Sequence, residues 1–272
     1  MVECKNIRTS LFRFNPRFHF RMYDKSQSNW TIITFLFALF QKDQYKSTIA
    51  ILYVCIAASV WKGFTISQTE FHSLHERFSS LFPYANAVDF LIGTHRIVGA
   101  FLLFGVIPAL IVRYVFHEKL SQYGVCLGNL KIGLRSFLIM SPILFVIGYF
   151  TGGDKAYLGV YPLNPSIRPG ADVYLFAAHV LTYVLYYIGW EFMFRGFLQK
   201  ATEPQFGPMS AVLIQTLAST MLHYGHPNGE VFGAIVIGIF WGFLVLKTNS
   251  IWSGLCQHIV VGVSLDCFLI YR

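Results

Sequence analysis

Charge is what this sequence lacks most. Only 12% of its 272 residues are Asp, Glu, Lys or Arg, about half of the roughly 25% found in soluble domains. With 55% hydrophobic residues gathered in long blocks, a soluble enzyme and a disordered tail are both excluded. Cysteine is scarce as well. The five cysteines (Cys4, Cys55, Cys126, Cys256, Cys267) are odd in number, scattered and never in a CxxC pair. Neither a disulfide framework nor a thiolate metal site is implied. There is no HExxH helix, no internal repeat and no second domain. No signal peptide is evident, because the first apolar run starts late and no small-residue cleavage site follows it. The C-terminal Phe-Leu-Ile-Tyr-Arg is not a prenylation signal.

Aromatics are abundant instead, with 27 Phe and 15 Tyr, and the apolar blocks read as membrane spans. The formal charge of +8 would suggest nucleic acid in a soluble protein. Here six basic residues (Lys5, Arg8, Arg13, Arg17, Arg21, Lys25) precede Trp30 and alternate with Phe and Tyr. That pattern suits an arm lying on an anionic leaflet. The membrane is thus the expected partner, and nucleic acid is not.

A spanning helix needs about 20 mainly apolar residues. Trp30–Phe40 is too short alone and is expected to be an interfacial helix. Seven runs then qualify as spans: Ser47–Trp61, Ile97–Phe116, Ile132–Phe150, Val173–Leu198, Met209–His223, Val231–Leu246 and Ile251–Ile270. Gly99 and Gly105 are expected to allow close packing in the second, and Pro108 to kink it. Phe64–Asn86 is a polar connector, Gly152–Gly170 an extramembrane loop, and Thr202–Pro208 a tight turn. The expected fold is all-α, a polytopic bundle of about seven or eight transmembrane helices. Its divisions are a basic arm with an interfacial helix (1–46), N-terminal helices and loops (47–172), and a core (173–272).

A charge at the centre of a membrane helix costs about 2.5–3.5 kcal/mol on insertion scales, so each one needs a reason. Glu191 and Arg195 lie four apart within Gly189-Trp190-Glu191-Phe192-Met193-Phe194-Arg195-Gly196-Phe197. On one helical face they can pair, either as a structural clamp or as part of a reactive site. His223 ends the next apolar run. Farther on, Thr248-Asn249-Ser250-Ile251 can cap a helix that carries His258, because Asn and Ser side chains accept orphan N–H groups. Counted at 1.5 Å per residue, Glu191 lies about 17 Å before the predicted turn, His223 about 23 Å after it, and His258 about 12 Å from its own loop. A shared site is allowed if a helix tilts or breaks. His179 has no polar motif beside it and is taken as structural.

These residues in this order resemble the CPBP family of intramembrane endopeptidases, which includes type II CAAX prenyl proteases and bacteriocin-processing or self-immunity relatives. The matching positions are Glu191, Arg195 and Gly196, then His223, then Gly238 and Gly242, then Thr248, Ser250 and His258. Tyr123-Gly124-Val125-Cys126-Leu127-Gly128 also looks like the glycine-spaced segment preceding the core in these proteins. Three positions depart from the pattern. Trp190 stands where the family has a first glutamate, Ser219 where it has Phe, and Gly262 where it has Asn.

The resemblance implies hydrolysis of a peptide bond in a membrane-associated substrate, hydrophobic or lipidated, by glutamate-activated water in a bacterial cell (inner) membrane. Glu191 would take the proton, His223 would hold the water or the leaving amine, and His258 would help hold the oxyanion. Arg195 would orient the glutamate, and Ser250 would support the His258 helix. The missing Asn at 262 would leave the oxyanion site one donor short. No cofactor is expected, with zinc on Glu191 and the two histidines as the rival. Two further readings stay open. One is a catalytically impaired relative acting as an interaction, maturation or immunity protein, to which Trp190 and Gly262 point. The other is a small transporter, which internal duplication or paired broken helices would favour.

Overall fold

The computed structural model describes residues 44–66 and 87–272. The predicted arm and interfacial helix lie outside the described residues up to position 43, and so does the connector from 67 to 86. Every regular element described is helical, because within lipid only a helix or a closed barrel satisfies the backbone internally. There are seven helices among the described residues. α1 is Tyr45–Ile66. α2 starts at Ala87–Phe101 and continues through Leu102–Val106, Ile107–Leu110 and Ile111–Val115. α3 is Leu130–Thr151. α4 is Val173–Glu191, prolonged by Phe192–Leu198 and Gln199–Phe206. α5 (Pro208–Leu222), α6 (Asn228–Thr248) and α7 (Trp252–Tyr271) complete the bundle.

Five of these are long and apolar enough to cross a membrane: Asp89–Val115, Leu130–Thr151, Val173–Phe206, Asn228–Thr248 and Trp252–Tyr271. Pro208–Leu222 is apolar but shorter. Large apolar side chains such as Leu138, Phe150, Leu181, Leu217, Phe232 and Val236 point outward, which suits lipid rather than water. The protein is an all-α, polytopic integral membrane bundle.

Several boundaries differ from the predicted ones for physical reasons. α2 begins ten residues earlier than Ile97 because the charges that shortened the predicted span are engaged. Asp89 pairs with Arg168 at 2.7 Å, and Arg96 donates to the Leu163 carbonyl at 3.3 Å. Both partners lie in the 152–170 loop, which folds back onto the bundle and buries Leu163, Asn164, Ser166 and Ile167. α4 runs through Pro204 to Phe206, so the turn predicted over 202–208 shrinks to Gly207, whose φ of +81° an L side chain rarely adopts. Pro108 sits on a four-residue α-turn between two π-helical turns, which absorb its missing N–H.

Small residues set the close crossings, as expected between helices in lipid. A Cβ on Gly105 would lie 3.4 Å from the Gly189 Cα, whereas Gly99 meets only the His95 ring at 4.0 Å and seals nothing. On α3, Gly148 lies so close to α7 that a Cβ would overlap the Ser264 hydroxyl. Gln215 donates to the Gly238 carbonyl and Gln199 to that of Gly242, each at 2.9 Å. Cys55, Cys256 and Cys267 are free thiols.

Candidate active site

Glu191 is the last residue of the regular part of α4, where the helix widens into the π-helical segment Phe192–Leu198. Such widened turns are frequent at functional sites. Its side chain is wholly buried. Oε1 accepts a hydrogen bond from His258 Nδ1 at 2.8 Å and lies 3.3 Å from Arg195 Nη1. Oε2 has no partner and packs against Gly254, where a Cβ would stand 3.3 Å away. The Arg195 guanidinium lies over the Trp241 ring at 5.5 Å, and its Nε and Nη1 make no hydrogen bond. A carboxylate can only accept, so His258 carries its proton on Nδ1 and, when neutral, presents a bare Nε2.

His223 caps the C-terminus of α5, and its Nδ1 donates to the Ser219 carbonyl at 2.9 Å. The Ser219 position thus serves His223 through its backbone. His223 Nε2 faces the Oε1 of Glu230, a residue in the first turn of α6, at 3.8 Å. That same oxygen accepts from Tyr161 Oη at 2.6 Å and from His226 Nδ1 at 2.8 Å, and Glu230 Oε2 has no partner. Burial, reinforced by the Glu230 charge, holds the Tyr161 phenol well above its ordinary range, so it stays a donor.

A cavity of about 180 Å³ between the helices is lined by Tyr187, Trp190, Arg195, His223, Glu230 and His258, among others. Glu191 is not on its wall and reaches it through His258 and Arg195. The Trp190 indole stands edge-on to the His223 ring at 5.3 Å and to the His258 ring at 6.5 Å. A larger chamber of about 480 Å³ lies alongside, walled by Lys62, Arg96 and the 152–170 loop; Tyr161, Trp190 and His223 line both spaces. Gly262 has no room for any side chain, because a Cβ there would coincide with the Tyr187 hydroxyl at 1.6 Å. A phenolic O–H therefore occupies the space into which residue 262 would project.

The capping turn sits away from the cavity and sets the helix that bears His258. Ser250 Oγ accepts from Trp252 N at 3.2 Å, and Thr248 Oγ1 accepts from Ser250 N at 3.2 Å while donating to Leu244 O at 2.7 Å. The glycine-spaced segment docks on this turn: Ile251 N donates to Gly124 O at 3.0 Å and Asn129 N to Thr248 O at 2.8 Å. A Cβ on Gly128 would lie 2.1 Å from Thr248 O, and one on Gly196 would lie 2.8 Å from Tyr123 O. One segment thus braces both the Arg195-Gly196 helix and the His258 helix. His179 is bonded to Asp266 at 2.9 Å, both fully buried, so Asp266 turns away from the cavity.

The structure brings Glu191, Arg195 and His258 into one cluster and sets His223 across the cavity from it. Ser250 stays outside as a cap. Among the described residues no group of three or more His, Cys, Asp or Glu side chains is arranged to hold a metal ion. Sequence reasoning missed Glu230, Tyr161 and Tyr187, and it set His226 aside because Gly225 and Pro227 flank it. The spacing of His226 and Glu230, four apart, was a usable signal, but an acid in a first helical turn also reads as a response to the helix dipole.

Residues 172–264, about a third of the chain, match the family model described as Rce1-like, type II CAAX prenyl endopeptidase Rce1-like. The matched stretch includes Glu191, Arg195, His223, Glu230, Ser250, His258 and Gly262. No curated protein and no solved structure matches the chain. The segment 172–264 of this integral membrane protein, which carries Trp190, His223, Glu230 and His258 of the cavity wall, is thus similar to the type II CAAX prenyl endopeptidases.

Proposed function

We propose that this protein hydrolyses a peptide bond in a hydrophobic or lipidated, membrane-associated polypeptide, using water activated by a glutamate. The observation that carries the reading is the interhelical cavity, on whose wall two histidines, an arginine with unused N–H groups and a carboxylate converge. Arg195 and the Tyr187 hydroxyl are donors suited to the oxyanion that forms when water adds to a carbonyl. His223 would hold the water, and His258 lines the cavity with its ring fixed by Glu191. Two carboxylates are near enough to serve as base: Glu191 behind His258, and Glu230 beside His223.

The test is cleavage of a prenylated CAAX peptide, carrying a fluorophore and a quencher, by the full chain in proteoliposomes. Wild type should cleave it, and His223→Ala and His258→Ala should each lose at least about a hundredfold in rate. Absence of cleavage by wild type would sink the reading.

Trp190 favours a second reading. Its indole fills space between the two histidine rings, as expected of a relative that keeps the fold and has lost catalysis. In that case wild type is silent, Trp190→Glu gains cleavage, and Glu191→Ala keeps the cellular effect.

A further inference from the structure

The polar groups around Glu230 are an unusual arrangement of acceptors. His223 gives its Nδ1 proton to the Ser219 carbonyl. Its Nε2 stands 3.8 Å from Glu230 Oε1, far beyond the roughly 2.7–2.9 Å of a charge-assisted hydrogen bond. No proton is shared across that gap, so a bare imidazole nitrogen faces a carboxylate oxygen. Glu230 Oε1 already accepts from Tyr161 and His226, so the bare Nε2 is the acceptor that wants a donor, and a water molecule supplies one. The orphaned Glu230 Oε2 adds a further buried acceptor with no protein partner, and such groups in native structures call for a water or a ligand.

Glu191 shares the orphaned Oε2 but not the position. It is off the cavity wall, and its Oε1 is shared by His258 and Arg195. Glu230 borders the cavity and faces His223 directly. Its other contacts, Tyr161 and His226, are donors that orient it.

We infer that Glu230 is the general base of this site, in place of the carboxylate that the Trp190 position does not supply, and that Glu191 is a positioning residue acting through His258. The inference rests on the endopeptidase reading. Water held by Glu230 and His223 gives one proton to the Glu230 carboxylate as its oxygen bonds to the carbonyl carbon. The carbonyl π pair moves onto its oxygen, toward the donors of Arg195 and Tyr187. On collapse the C–N bond breaks, and the Glu230 proton passes to the leaving nitrogen. An acid and an amine result, and Glu230 is again a carboxylate.

The experiment uses the full chain in proteoliposomes with the quenched prenylated CAAX peptide, and a reduced-amide analogue of that peptide to report binding. Glu230→Gln should lower kcat by about 10²–10⁴ while the Kd for the analogue stays within about threefold of wild type. Added formate should restore turnover to Glu230→Ala, and should do nothing for Glu191→Gln, because only the first lacks a proton acceptor at the water. Cleavage by wild type with Glu230→Gln near the wild-type rate would overturn the Glu230 assignment and leave the endopeptidase reading standing. Loss of analogue binding by both Glu230 variants, with no rescue, would make Glu230 a clamp for the 152–170 loop and overturn the assignment too. A wild type that cleaves nothing removes the reading on which the inference rests.

Discussion

Two glutamate–histidine clusters lie in the same half of this bundle and differ in one physical respect. Glu191 sits wholly inside, its charge matched by Arg195 one turn along the same helix and its oxygen bonded to His258. Glu230 sits at the start of α6, and its partners are the donors Tyr161 and His226, with His223 across a gap. A buried ion pair is costly to separate, because removing one member leaves an uncompensated charge in low dielectric. A carboxylate at a cavity wall can meet a water or a substrate directly. The same residue types therefore give a charge-paired anchor in one place and, in the proposed mechanism, a reactive group in the other.

The largest effect should come from breaking the deep pair. Arg195→Met is expected to cost about 3–5 kcal/mol, read as loss of monodisperse, folded protein in detergent. Glu191→Gln combined with Arg195→Met should recover part of that, since no lone charge then remains. If the single variant is as stable as wild type, Glu191 is not held by charge, and the contrast with Glu230 fails.

Gly262→Ala comes next. A Cβ there would meet the Tyr187 hydroxyl at 1.6 Å and its ring carbon Cζ at 2.6 Å, so overpacking of about 1–3 kcal/mol is expected. Adding Tyr187→Ala should relieve it in a thermal melt. The relief should not restore catalysis, because the phenolic donor is gone.

Tyr161→Phe removes one hydrogen bond to a charged group, expected to matter by about 1.5–3 kcal/mol. It should also speed limited proteolysis within residues 152–170, which Tyr161 ties to α6. Unchanged proteolysis would mean that the Asp89–Arg168 and Arg96–Leu163 contacts hold the loop alone. The smallest effect belongs to the exposed pair: Asp89→Asn should change stability by less than about 1 kcal/mol, because water screens Arg168.

Much of the fold was legible from the apolar runs, and its misreadings share one cause. The early turns of α2 and the end of α4 carry charge or proline, which local rules count against a span. Tertiary partners then satisfied Asp89 and Arg96, and Gly207 took the whole turn. Within the site, the Glu191–Arg195 pairing followed from spacing alone, as did Ser250 at a helix start. The 2.8 Å bond from His258 to Glu191 spans 67 residues, and no local pattern encodes it. Tyr187 above Gly262 was invisible for the same reason: the sequence shows a missing side chain, and only packing shows what fills the space.

The sequence by itself determined that this chain is helical, membrane-embedded and built around a few buried charges, because lipid forces each backbone to bond within its own helix. It also singled out Glu191, Arg195, His223 and His258, because charge inside an apolar run is costly, but not Glu230, which stands just outside such a run. Tertiary structure decided which of those charges meet. Helix crossings at glycine contacts placed His258 on Glu191 and His223 on Glu230, and so made the first carboxylate an anchor and left the second at the cavity wall.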